Sequence, residues 1–186
     1  TKNVVPAKLQ ENDFSAPYAA KLKVLQEAKG TFHYLPTGGI FARKNADSYT
    51  AGIAAGMRGE SSFLQLKGLS EIHTIRGYAE IMAAQNWGKS GLTLLGSLGP
   101  MYEQETPLWE HQEGASLYRP SVISGHVGYA FQYMPFEQRI AHGGSVGIDV
   151  QMPYIDFPQD VRIGAKTLLF PTVDDYWIFL GAHLKF

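Results

Sequence analysis

The sequence predicts an all-β chain: eight antiparallel strands in an up-and-down barrel, preceded by a partly helical N-terminal extension. Three observations carry this prediction. From Asp47 onward side-chain character alternates with period two, the repeat of an extended strand. Turn-forming stretches cut the alternating run at intervals that suit hairpins. Finally, 20 Gly, 10 Tyr and 10 Phe among 186 residues suit crowded β-backbones and aromatic girdles better than a helical bundle.

The first 46 residues lack the period of two and form the predicted extension. Within it, Pro17 to Ala28 reads as a helix. Ser15 can cap it, Pro17 suits its first turn, Tyr18, Leu22 and Leu25 line one face, and Gly30 ends it. Lys21, Lys23 and Lys29 accompany the apolar face, so a membrane-surface helix, a luminal plug or a docking arm are all expectations for this segment. The stretch Thr31 to Lys44 reads as a candidate extra strand that would upset a count of eight.

The barrel is expected over residues 47–186. Its strands are read at Tyr49–Met57, Leu64–Lys67, His73–Ala83, Leu92–Glu103, Ile123–Tyr133, Arg139–Met152, Val161–Leu169 and Tyr176–Phe186. Turns are expected at Gly59-Glu60-Ser61, Asn86 to Lys89, Pro135 to Glu137, Pro153 to Gln159 and Pro171 to Asp174. The longest connection then runs from Gln104 to Arg119. Eight strands give a barrel whose interior is just filled by side chains.

The faces differ in a way that indicates which one meets what. One face of each strand is apolar. The other mixes small residues with Arg58, Lys67, Arg76, Glu80, Glu103, Arg139, Asp149, Arg162 and Lys166. Small residues among charges of both signs suit a cramped lumen, where such charges must pair. A solvated outer face would carry more long polar side chains. Apolar outside and polar inside is the pattern of a transmembrane barrel. Aromatics near strand ends, among them Tyr49, Trp87, Tyr102, Tyr133, Tyr154 and Tyr176, fit two interfacial belts.

The last strand sharpens the expectation. Tyr176, Ile178, Leu180, Ala182, Leu184 and Phe186 form a wholly apolar face, and the chain stops on an aromatic residue. With this ending, residues 47–186 resemble the small eight-stranded bacterial outer-membrane β-barrel proteins. That resemblance implies an outer-membrane location, a lipid and lipopolysaccharide environment, Phe186 as an assembly signal for the barrel-assembly machinery, and both termini in the periplasm. It implies no particular activity. The turns at 171–174, 135–138, 86–89 and 59–61 then face outward. The 104–119 connection and residues 1–46 face the periplasm, where they are candidate docking segments for a protein partner.

Other function classes are excluded or weakened. A net charge of −1 gives no basic stripe for nucleic acid. Absence of Cys excludes disulfides and thiolate metal sites. No phosphate-cradling loop or zinc-ligand spacing is present, so no cofactor is expected. Ser124 and His126 share one strand face and form a weak catalytic candidate, with Glu80 or Asp149 as the nearest conceivable orienting carboxylate. Glu110, His111 and Glu113 beside Glu103 and Glu105 read as an acidic solvated loop rather than a metal site. The expected role is therefore non-enzymatic: a structural or interaction barrel, an accessory subunit of an envelope assembly. The alternatives are a narrow solute channel, a lipid acyl hydrolase or transferase, and a soluble lipocalin-like binding barrel.

Overall fold

The computed structural model describes residues 23–24, 32–68, 71–88, 91–112, 115–151 and 161–184. Among them the strands are β1 (Lys23–Val24), β2 (Phe32–Lys44), β3 (Tyr49–Lys67), β4 (Ile72–Asn86), β5 (Leu92–Gln112), β6 (Ala115–Met134), β7 (Arg139–Gln151), β8 (Val161–Phe170) and β9 (Asp175–Leu184). From β2 to β9 each strand pairs antiparallel with the next. β9 returns to pair with β2, which closes an eight-stranded up-and-down barrel. Within the barrel each wall strand is paired on both sides, while β5 beyond Glu105 and β6 ahead of Val122 pair only with each other.

Strand register sets the shape of this barrel. Successive partners Tyr34, Gly59, Ala79, Leu98, Tyr129, Gly144, Leu169 and Tyr176 lead back to β2 at Lys44, ten residues beyond the start. A stagger of that size over eight strands tilts them by about 40°. At ~3.3 Å per residue, a tilted ten-residue strand such as β8 or β9 climbs about 25 Å along the axis. The lumen is then only as wide as opposed side chains.

Three elements differ from the sequence-based expectation. Residues 32–44, expected in the extension, form the wall strand β2, so the barrel begins before the expected boundary at 46/47. Pro36, Gly38 and Gly39 break its hydrophobic alternation and hide it. The expected turn at Gly59-Glu60-Ser61 is absent, because β3 runs unbroken from Tyr49 to Lys67. A bulge between Ser62 and Leu64 adds one residue there. It moves the apolar residues from odd positions (Ile53, Met57) to even ones (Leu64, Leu66) without reversing the chain. That change of phase mimics a turn in the sequence. The gain of β2 and the fusion within β3 cancel, which keeps the count at eight. The expected long connection 104–119 is mostly strand, because β5 and β6 stay paired as far as Gln112 and Ala115.

Of the expected helix at 17–28, only Lys23–Val24 is described. There the backbone pairs with Lys67 and Leu66 as β1. The rest of that helix, the 153–159 turn and Phe186 lie outside the described residues. One rim of the barrel carries short connections at 45–48, between β4 and β5, at 135–138 and at 171–174. Left-handed backbone at Gly88, Gln138 and Asp174 makes three of these turns tight. The opposite rim carries the start of β2, the end of β9 and the extended β5–β6 ribbon.

On the outer wall, three glycines each lie beneath a neighbouring aromatic ring: Gly59 under Phe32, Gly77 under Phe63, and Gly96 under Phe131. The rings cover backbone that would otherwise be bare. In the lumen, Gly147 makes room for His126 and Gly164 for Asp149. These pairs sit directly opposite one another on neighbouring strands.

Because β2 bridges β3 and β9, it is required for closure. A chain beginning at residue 47 leaves both of those edges bare, and we expect it to lose cooperative thermal unfolding followed by circular dichroism. Full cooperativity in that shortened chain would contradict the topology described here.

Candidate functional site

Side-chain polarity is inverted across the wall. On β3, Arg58 is 1% exposed while Ile53 is 53% exposed. Among the described residues, ten charged side chains are nearly buried in the lumen: Arg43, Arg58, Arg76, Arg162 and Lys166 against Glu60, Glu80, Glu103, Asp149 and Asp175. Five basic and five acidic groups balance. In so narrow an interior each must find a partner, since an unpaired buried charge is strongly unfavourable.

Arg58 organises the centre. Its Nε donates to Glu80 Oε2 at 2.8 Å, and its Nη1 donates to Asp149 Oδ2 at 2.6 Å. Its Nη2 lies 3.3 Å from His126 Nε2, and Glu60 Oε1 stands 3.8 Å from Nη1. Register explains the first contact, because Arg58 and Glu80 are direct cross-strand partners on β3 and β4. The second spans the lumen from β3 to β7. His183 Nε2 lies 3.0 Å from the other Asp149 oxygen, and Lys166 pairs with Glu80. Tyr78 packs its ring against His126 with centroids 4.6 Å apart, and shares a 2.7 Å hydrogen bond with Ser145. The Arg58 guanidinium sits 5.5 Å from the same ring, a further favourable contact.

Two smaller ion-pair groups flank this centre. Toward the rim that carries the start of β2 and the end of β9, Glu103 accepts from Arg76 at 3.0 Å and from Arg162 at 2.8 Å, and Arg76 also donates to Ser62. Toward the turn rim, Arg43 grips Asp175 with two parallel bonds of 2.8 and 2.7 Å, and Gln132 adds a third at 2.8 Å. Such a fork is the strongest geometry available to a guanidinium and a carboxylate. The Arg43 fork also lies over Trp177 at 4.7 Å.

Between Arg43 and the Arg58 centre lies an apolar layer. Phe41, Met82, Leu95, Leu168, Phe170, Trp177 and Phe179 form one buried cluster that fills the lumen. Below it a small cavity of about 30 Å³ touches Thr37, Asp149, Lys166 and His183. Above it a larger vestibule of about 230 Å³ opens at the turn rim.

Of the nine residues expected to form a luminal network, Arg58, Arg76, Glu80, Glu103, Asp149, Arg162 and Lys166 come together. Lys67 and Arg139 do not; both are exposed, Lys67 where β3 ends and Arg139 where β7 begins. Arg43, Glu60, Asp175 and His183 belong to the network without having been singled out. Arg43 had been placed in the extension and Asp175 beside a turn, although each keeps the luminal parity of its strand. Ser124 and His126 both face the lumen and are 0% and 2% exposed. No hydrogen bond joins them: His126 Nε2 is directed at Arg58, and Ser124 Oγ has no partner among the described residues. The side chains of Glu110, His111 and Glu113 lie outside the described residues.

No protein-family model matches the chain, and no curated protein matches it in sequence. Among solved structures, the chain is similar to DynF from the dynemicin biosynthesis pathway of Micromonospora chersina. The TM-score is 0.54 at 11% sequence identity, covering 91% of this chain and 85% of that one. At that identity the likeness concerns the fold alone.

Removing Arg58 takes the guanidinium from two buried carboxylates, leaving Glu80 with Lys166 and Asp149 with His183. Arg58→Met is expected to lower stability by about 3–5 kcal/mol, read by denaturant unfolding of the refolded protein. Gly164→Ala puts a methyl within 2.0 Å of Asp149 Oδ1 and is expected to cost about 1–3 kcal/mol through overpacking. Wild-type stability in both variants would remove the network from its central place.

Proposed function

We propose that this chain spans a bacterial outer membrane as a sealed barrel with a structural or interaction role, an accessory to an envelope assembly. One observation carries the reading: the outward face is apolar while the lumen holds the charges. Ile40, Ile53, Ile81, Leu98, Val127, Ile178 and Leu180 all point outward, each about half exposed. A girdle of eight strands, spaced ~4.8 Å and tilted, is about 50 Å around, so a band 25 Å tall has an area on the order of 1,200 Å². The largest apolar patch on a water-soluble monomer is typically about 300–600 Å². The same 25 Å matches the height of the lipid-facing band in known membrane barrels.

Aromatic placement supports the same reading. Tyr49, Trp87, Tyr133 and Phe136 are exposed near the turn rim, and Phe32, Tyr34, Phe63 and Tyr102 near the other. Two outward histidines are hydrogen-bonded to outward tyrosines, His73 to Tyr102 at 2.6 Å and His142 to Tyr129. Such pairing limits the cost of polar groups on a lipid-facing wall.

A sealed barrel follows from the apolar layer around Trp177, which an ion would have to cross without its water. This argues against the solute-channel alternative. The acyl-transfer alternative needs Ser124 hydrogen-bonded to a base and open to substrate; it is buried and has no such bond. A soluble binding barrel needs its apolar face inside. The β5–β6 ribbon beyond Glu105 and Val122, with the residues ahead of β2, faces the periplasm, where a partner docks.

Leu180, in the middle of β9, pairs with Ile40 and Ala165 on the outer face. Leu180→Arg is expected to destabilise the bilayer-inserted protein by ~2–4 kcal/mol, and Gln85→Arg near the turn rim by only about 0–1 kcal/mol. Folded protein should also migrate faster than boiled protein on gels, and planar bilayers should show no conductance steps. Tolerance of Leu180→Arg together with release into the soluble fraction would defeat the membrane reading, whereas discrete conductance would defeat only the sealed lumen.

A further inference from the structure

At the rim that carries the start of β2, one strand edge is unevenly covered. β3 is 19 residues long and β2 is 13, and β2 begins pairing with β3 only where Phe32 lies opposite Ser61. From Ser62 onward β3 keeps β4 on one side, as far as Lys67 opposite Ile72. On its other side the described residues place only β1, and only at Leu66 and Lys67. Such an edge offers N–H and C=O groups to a strand that can lie beside it. Strand addition at sheet edges is a recurring mode of protein recognition.

Register sets the pattern such a strand must have. Past the bulge, Leu64 and Leu66 lie opposite Ile75 and His73 on the outer face, whereas Gln65 lies opposite buried Thr74 on the inner face. Lys67 shares the parity of Gln65. It is exposed and has no ion-pair partner among the described residues. A strand added here therefore alternates, with apolar residues opposite Leu64 and Leu66, a polar one opposite Gln65 and an acidic one opposite Lys67. β1 meets only part of this pattern. Val24 opposite Leu66 continues the apolar face, but Lys23 opposite Lys67 sets two positive residues at one register position. Like charges directly opposite on neighbouring strands are unfavourable. The bulge between Ser62 and Leu64 and the charge of Lys67 discourage indiscriminate pairing, which reserves the edge for a strand of complementary pattern.

We propose that the β3 edge from Ser62 to Lys67 docks a strand of a partner protein, antiparallel and amphipathic, with apolar side chains opposite Leu64 and Leu66 and a carboxylate opposite Lys67. β1 is the mismatched occupant that this strand displaces. Backbone pairing supplies the affinity and Lys67 the charge selection. The docking site rests on the interaction role proposed for the barrel and gives the partner a chemistry. Because the edge lies at the rim, its pairing is measurable in detergent, apart from any bilayer.

The test uses the refolded full chain in detergent micelles and two end-blocked peptides, Glu-Val-Thr-Val-Thr-Val and Lys-Val-Thr-Val-Thr-Val. Amide NMR shifts and hydrogen exchange of residues 62–67 report binding. The glutamate peptide is expected to give saturable shifts and slowed exchange at this edge. The lysine peptide should bind about two- to fivefold more weakly, the size of one exposed ion pair. Lys67→Glu should invert that preference. Lys23→Glu gives β1 the missing charge match, and should weaken the glutamate peptide by about two- to fivefold because β1 then competes better. Lys44→Glu, at the turn rim, should change neither affinity. The proposal is overturned if neither peptide gives saturable shifts at 62–67, if Lys67→Glu leaves the preference between peptides unchanged, or if Lys23→Glu leaves peptide binding unchanged. Protection of 62–67 that rises with protein concentration in the absence of peptide also overturns it, by assigning the edge to a second copy. None of these outcomes bears on membrane insertion, which Leu180→Arg tests separately.

Discussion

Closure of the sheet at eight strands is the constraint on which the rest depends. The ten-residue stagger between Tyr34 and Lys44 closes the wall and narrows the lumen to the reach of opposed side chains. Buried charges among the described residues therefore reach one another across the lumen, which is why Arg58 on β3 can hold Asp149 on β7 at 2.6 Å. A wider barrel would let water take those partners. A flat sheet would never bring the two strands together.

The same narrowness divides the interior into layers. Charges occupy the middle and the end where β2 starts, an aromatic and aliphatic layer lies above them, and the Arg43–Asp175 pair and a polar vestibule follow at the turn rim. Small residues make this packing possible. Gly147 and Gly164 have no side chain of their own and so leave room for His126 and Asp149 beside them.

Much of the network could be read from parity alone. Arg58, Arg76, Glu80, Glu103, Asp149, Arg162 and Lys166 all fall on the polar face of an alternating strand, and all meet inside. Parity fails at the ends: Lys67 and Arg139 have it, but lie where their strands leave the wall, and water solvates them. It also fails where a candidate strand is left outside the wall, as with Arg43 on β2. The nearness of Ser124 and His126 in sequence carried no information about contact. Residues two apart on a strand point the same way without touching, and His126 is drawn across the lumen to Arg58.

By itself the sequence determined the fold class and the sorting of apolar from charged side chains, because each follows from local alternation with period two; the count of eight came out right only because the missed β2 and the false break in β3 cancel. Only the tertiary structure decided where the wall begins, which residues bind one another across the lumen, and that the interior is layered. Those outcomes depend on register and closure, which couple residues more than a hundred positions apart, as Arg43 and Asp175 are. A single bulge at Ser62–Leu64 shows the limit of local reading. One inserted residue reverses the facing of everything after it, and only the partner strand reveals that the chain never turned.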